Sequence, residues 1–177
     1  MKLKNIISSA ITFLLCVFLF SSCEEKEKVW TELPPVTQTG ANTIGCLVDG
    51  QLWATGKIPG YTLTPAMHAE YSIYKKDTSV LHFYAENKDR NGIGFRIFNP
   101  QIGENNIYYV GGGFRTINKT CDDLIGLNIK GLVITKLDIQ NRILSGNFNI
   151  ELNCVNDSTK KVNLTDGRFD MYLYVNK

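Results

Sequence analysis

The strongest constraint on this chain is where its apolar residues fall: at every second position, in short runs divided by turn-forming residues. Phe169, Met171, Leu173 and Val175 alternate with Arg168, Asp170, Tyr172 and Tyr174. Ile93, Phe95 and Ile97 alternate with Gly94 and Arg96, and Phe148, Ile150 and Leu152 with Asn147, Asn149 and Glu151. Successive side chains of a strand point to opposite faces, so a period of two describes strands with one dry face and one wet face. This reading predicts strands over residues 44–48, 51–55, 70–75, 80–86, 93–99, 107–110, 114–117, 132–139, 143–152, 161–165 and 168–175. Asp49-Gly50 and Asp166-Gly167 are hairpin signals, because both central residues of a type I′ turn need positive φ. Gly111-Gly112-Gly113 reads as a loop or bulge, since no nucleotide-binding helix pattern follows it. No window carries a 3.6-residue apolar stripe, and the connections are too short for βαβ crossovers. The expected fold is all-β: a single antiparallel β-sandwich or meandering β-barrel over residues 41–177.

The start of the chain reads as an address. Lys2 and Lys4 precede an apolar run over residues 11–20, then Ser21, Ser22 and Cys23. That run is about half the roughly 20 residues a membrane-spanning helix needs, and it matches the three-part layout of a secretory signal. Phe20-Ser21-Ser22-Cys23 resembles the bacterial lipobox, with Phe20 where Leu is usual. The resemblance implies a signal peptide over residues 1–22, cleavage before Cys23 and lipidation of that cysteine. Cys16 is a poor rival, lying inside the apolar run behind bulky Leu15. The expected partner is then a membrane, held through the lipid.

Behind Cys23, Glu24-Glu25-Lys26-Glu27-Lys28 is a charged run suited to a solvated spacer. It also resembles the acidic signal that sends lipoproteins of Bacteroidota to the outer face of the outer membrane, which implies surface display there. The segment Thr31-Glu32-Leu33-Pro34-Pro35-Val36-Thr37-Gln38-Thr39-Gly40 favours an extended, semi-stiff course. Residues 23–40 are therefore expected to form a tether that stands the domain clear of the headgroups.

Charge and cysteines narrow the classes. Of 19 Lys and Arg, two leave with the signal, so 17 remain against 17 Asp and Glu. A balanced domain without basic runs argues against nucleic acid, because phosphate binding needs clustered cations. Cys46, Cys121 and Cys154 remain after Cys23, an odd number that leaves at least one thiol unpaired. Cys121 and Cys154 both sit beside polar loop residues and are the favoured disulfide pair. Cys46, within Ile44-Gly45-Cys46-Leu47-Val48, is expected to be a small buried side chain.

Two blocks carry a wider resemblance. The opening from Leu33 through Thr37-Gln38-Thr39-Gly40 and Gly45-Cys46-Leu47-Val48 to Trp53 resembles that of a family of uncharacterised Bacteroidota lipoproteins. Ser145-Gly146-Asn147-Phe148 and Thr165-Asp166-Gly167-Arg168-Phe169-Asp170 are similar to that family's closing segments. The resemblance implies a β-rich envelope lipoprotein and transfers no catalytic residue.

The search for chemistry finds little. His68 and His82 are the only histidines and neither has a His or Cys at metal-ligand spacing, so no metal or other cofactor is expected. There is no G-x-S-x-G elbow. In the hairpin of residues 70–75 and 80–86, matching apolar residues sets Ile73 opposite Phe83 and Tyr71 opposite Ala85. The wet face then places Tyr74 opposite His82, Ser72 opposite Tyr84 and Glu70 opposite Glu86. Facing carboxylates suggest either an acid pair of the glycosidase kind or ends splayed into solvent. Tyr74, His82 and Tyr84 form the better candidate: an aromatic, hydrogen-bonding face suited to a glycan or a peptide. The functional expectation is a non-catalytic binding or interaction module at the outer membrane. The alternatives are an accessory glycan- or peptide-binding module of a nutrient-uptake system and an unrecognised hydrolase.

Overall fold

The computed structural model describes residues 30–54, 67–75, 77–87, 89–114, 121 and 123–176. The signal segment, Cys23 and the charged run behind it lie outside the described residues, as does residue 122 beside Cys121. Ten strands follow one another and there is no helix among the described residues. They are β1 (Thr43–Val48), β2 (Gln51–Ala54), β3 (Met67–Lys75), β4 (Thr78–Glu86), β5 (Gly92–Phe98), β6 (Gly103–Gly113), β7 (Leu124–Asp138), β8 (Ile143–Cys154), β9 (Asp157–Tyr172) and β10 (Tyr174–Asn176). All belong to one sheet, in the order β10-β3-β4-β5-β6-β7-β8-β9-β1-β2.

Every pairing is antiparallel except one: β10 runs parallel to β3, with Tyr174 beside Glu70 and Asn176 beside Ser72. Because β10 is the direct continuation of β9, the sheet has to curl until its far side comes round to β3. The result is a mixed half-barrel, the meandering alternative of the sequence reading. The concave side is filled by the apolar alternates. Phe83 stacks on Phe95 with centroids 4.7 Å apart and meets Phe169 at 4.8 Å, and Phe95 meets Phe148 at 5.1 Å. The wall of β4 and β5 therefore faces the wall of β8 and β9 across the core.

Asp49 and Gly50 adopt φ of 46° and 82° and close the β1–β2 hairpin as expected. The second Asp-Gly pair does something else. Asp166 has φ 52°, yet β9 runs straight through it, and its register against β8 steps from Gly167↔Phe148 to Leu164↔Ile150. Positive φ serves a bulge as well as a turn, and here a Cβ on Gly167 would collide with the Phe148 ring. Gly111, Gly112 and Gly113 likewise form no loop but continue β6 opposite Gly94, Ile93 and Gly92. A side chain on Gly112 would strike the Gly92 carbonyl, so these positions let two strands bend close together. Of the strand expected over residues 114–117, only buried Phe114 lies within the described residues.

The β3–β4 register also differs from expectation. Ala69, not Ile73, lies opposite Phe83, Tyr71 lies opposite Leu81, and Glu70 lies opposite His82. The hairpin closes tightly between Lys75 and Thr78, and Ala69 supplies the small core-facing residue that the bulky Phe83 needs. A slip of four residues is even, so the faces are kept, but Ile73 is carried past the core's end and is 51% exposed.

Cys121 and Cys154 are joined by a disulfide, their Cα atoms 5.6 Å apart, and Cys46 is a buried free thiol. Burial pushes the Cys46 thiol up to about 12, so it stays protonated and inert. The disulfide closes a loop with a sequence separation of 33 residues. Cys121→Ser with Cys154→Ser should cost about 3 kcal/mol through the freed unfolded chain, read as a fall in urea midpoint.

The segment before β1 is extended, as its prolines require, but from Pro34 on it lies on the outside of the domain. Pro34 is buried and packs where Gly45 lacks a side chain; a Cβ there would come within 2.7 Å of the proline ring. The Pro34 carbonyl accepts from Arg168 at 3.2 Å, and the Gln38 carbonyl from Lys136 at 3.0 Å. The main fastening is Asp170. Its carboxylate accepts from the Thr37 hydroxyl (2.6 Å), the Thr39 amide (3.0 Å), the Gly40 amide (2.8 Å) and the Ala41 amide (3.2 Å). The Thr39 hydroxyl (3.3 Å) and the Ser145 hydroxyl of β8 (2.8 Å) complete the set, so that Asp170 clasps residues 34–41 to the sheet as a strap. Gly45→Ala should push Pro34 off the sheet and speed amide exchange in residues 37–41, measurable by hydrogen exchange with the core unchanged.

Candidate functional site

On the outside of the half-barrel, the wet faces of β3, β4 and β5 form an open depression of about 560 Å³. The alternation that buries Leu81 and Phe83 turns His82 and Tyr84 outward, and the same parity in β5 turns out Arg96 and Phe98. Tyr74 stands at the rim, 74% exposed, and Phe98 on the other side packs edge-on against Tyr108 at 4.8 Å. Glu70 and His82 lie on the floor between them, beside Arg96.

Electrostatics fix the floor's chemistry. Glu70 accepts from the Ser72 hydroxyl and the Asn176 amide, each at 2.7 Å, and lies 3.4 Å from His68 Nε2. The hydrogen bond from Ser72, then that from His68, holds its carboxyl below the usual range. Burial first, and the neighbouring Arg96 guanidinium second, push the His82 imidazole down, so it is neutral at pH 7. The floor therefore offers a fixed carboxylate, a neutral imidazole that both donates and accepts, and a guanidinium. Their charges cancel.

A line of rings extends from this depression. His82 lies 6.0 Å from Tyr84, Tyr84 5.8 Å from His68, and His68 stacks on Tyr174 at 4.9 Å. Of the three residues read from sequence as a recognition face, Tyr74 and His82 line one depression. Tyr84 adjoins His82 but borders the neighbouring glycine-floored cleft with Gly94 and Gly111. The facing carboxylates do not exist: Glu70 pairs with His82 and Glu86 with Gly92. Arg96, Phe98, His68 and Tyr174 were not singled out from sequence. Arg96 was already on a wet face by alternation, but its place beside His82 follows from β5 pairing with β4.

Among the described residues, no three His, Cys, Asp or Glu side chains converge as metal ligands would. In comparisons with known proteins, no family model, no curated protein and no solved structure matches the chain.

Proposed function

We propose that this chain is a lipid-anchored protein of the bacterial outer membrane, displayed at the surface, that acts as a non-catalytic binding module. The observation that carries the binding half is the depression of β3–β5, where exposed rings flank a charge-balanced, hydrogen-bonding floor. Rings that stack on ligand faces, beside groups that fix hydroxyls or amides, suit a glycan or a peptide. The address half rests on the lipobox-like segment ending in Cys23, the acidic run behind it and the resemblance to Bacteroidota lipoproteins. A place as accessory module of a nutrient-uptake system is compatible with the same site. The hydrolase reading loses the facing carboxylates on which it drew.

A glycan and peptide array, probed with the chain from residue 24 onward, tests the binding half. A ligand found there should bind about tenfold more weakly to Arg96→Ala and to Tyr74→Ala, roughly 1.4 kcal/mol each. Unchanged affinity in both variants would remove the site. For the address, Cys23→Ala should move the protein from the detergent phase to the aqueous phase on phase partition. Equal partition of variant and parent would overturn it.

A further inference from the structure

The depression of β3–β5 is balanced in charge but not in hydrogen bonding. Two cross-strand rows make its floor: Glu70, His82 and Arg96 in one, Ser72, Val80 and Phe98 in the other. In the first row the carboxylate is already engaged. Glu70 Oε1 accepts from Ser72 and Asn176, and Oε2 lies against His68 Nε2. These partners stand on β3 and β10, so they hold the carboxylate on the side away from Arg96. Arg96 and His82, by contrast, have no hydrogen-bond or ion-pair partner among the described residues. A guanidinium and a neighbouring ring N–H are thus left facing the ligand's space. The planar fork of a guanidinium is matched by a carboxylate, which it can hold through two parallel hydrogen bonds.

The second row is apolar. Val80 lies at its centre, the Phe98 ring is propped by Tyr108, and Tyr74 stands at the rim. The faces of such rings carry partial negative charge and take the C–H side of a sugar. A peptide docks most readily by adding a strand to an open edge. Here β4 is paired on both sides, and residues 70–72 of β3 are paired with both β4 and β10. What meets the ligand is side chain, not backbone, and its polarity is divided into an apolar half and a cationic half. We infer that the depression is a site for an acidic glycan, in which a uronate ring lies between Tyr74 and Phe98 with its carboxylate on Arg96 and His82. This deepens the reading of β3–β5 as a binding face and rests on it.

The test is calorimetric titration of the chain from residue 24 onward with short oligomers of galacturonate, mannuronate and glucuronate, each beside its methyl ester. Esterification keeps the ring and removes the charge. At least one acid should bind about tenfold more tightly than its ester, as a charge-assisted pair would give. Arg96→Gln should shrink that preference to about twofold or less while the ester's affinity stays where it was. Glu70→Gln, which takes a like charge from the floor, should tighten the acid about threefold and leave the ester unmoved. Uronates that bind no better than their esters, or an Arg96→Gln variant that keeps the preference, would overturn the inference. So would a neutral glycan, a sulfated glycan or a peptide that binds this face while every uronate fails, although the binding module itself would then stand. Should neither the uronates nor any array ligand bind, both readings fall.

Discussion

Phe83→Ala should lower the stability of this domain by about 3–5 kcal/mol, whereas Ile73→Ala, on the neighbouring strand, should change it by about 0.5 kcal/mol or less. Phe83 is fully buried, with the rings of Phe95 and Phe169 against it, and its removal leaves a void that three strands border and cannot close. Ile73 is half in water and loses little. Urea unfolding of the two variants measures the difference directly. Equal damage would mean that Ile73 pairs across from Phe83 after all, in the register that apolar matching alone suggests. Tyr74→Ala, at the exposed rim, should behave like Ile73→Ala.

Asp170 should give the second large effect, and a distinctive one in acid. Burial by itself would push its carboxyl up, but the hydrogen bonds from Thr37, Thr39, Ser145 and Gly40 outweigh it and bring the group down to about 2, from 3.8. A carboxyl with a depressed folded value stabilises the fold fully above its unfolded value and loses that contribution as pH falls through the folded one. The contribution is about 2 kcal/mol, present at pH 5 and disappearing between about pH 4 and 2. Asp170→Ala should cost about 4 kcal/mol at neutral pH, since it strands donors that were paired with a charge; released strap amides recover part of the loss in water. Asp170→Asn should cost less and flatten the acid slope of stability between pH 4 and 2. An unchanged slope in that variant would show that another carboxylate carries it.

How much of this was legible beforehand depends on the range of the interactions involved. Alternation is a local property, so it was enough to place Phe83, Phe95, Phe169 and Met171 inside and Tyr74, His82 and Arg96 outside. Register is settled by competition between local matches and the turn, and there Ile73 misled: apolar matching set it against Phe83, although the tight closure at Lys75 and Thr78 puts Ala69 there and leaves Ile73 no core to enter. Asp166-Gly167 misled for a related reason. Positive φ is a local preference, but whether it reverses a strand or kinks it depends on the partner, and β8 continues alongside β9 past that point. Asp170 could not be read as buried at all, because its donors in the strap lie about 130 positions away in the chain. The segments around Thr37-Gln38-Thr39-Gly40, Ser145 and Asp170 are the three parts of one clasp.

The parallel pairing of β10 with β3 also sets an order in time. Strand β3 has its hydrogen-bonding edge completed by Tyr174, Val175 and Asn176, about a hundred residues later in the chain. A polypeptide delivered N-terminus first, from a ribosome or through a translocation pore, exposes that edge until the last of these residues has arrived. Contacts of such long separation also form slowly. Delivery of the chain and completion of its fold are thereby kept apart, and the closing step waits for the last strand to emerge.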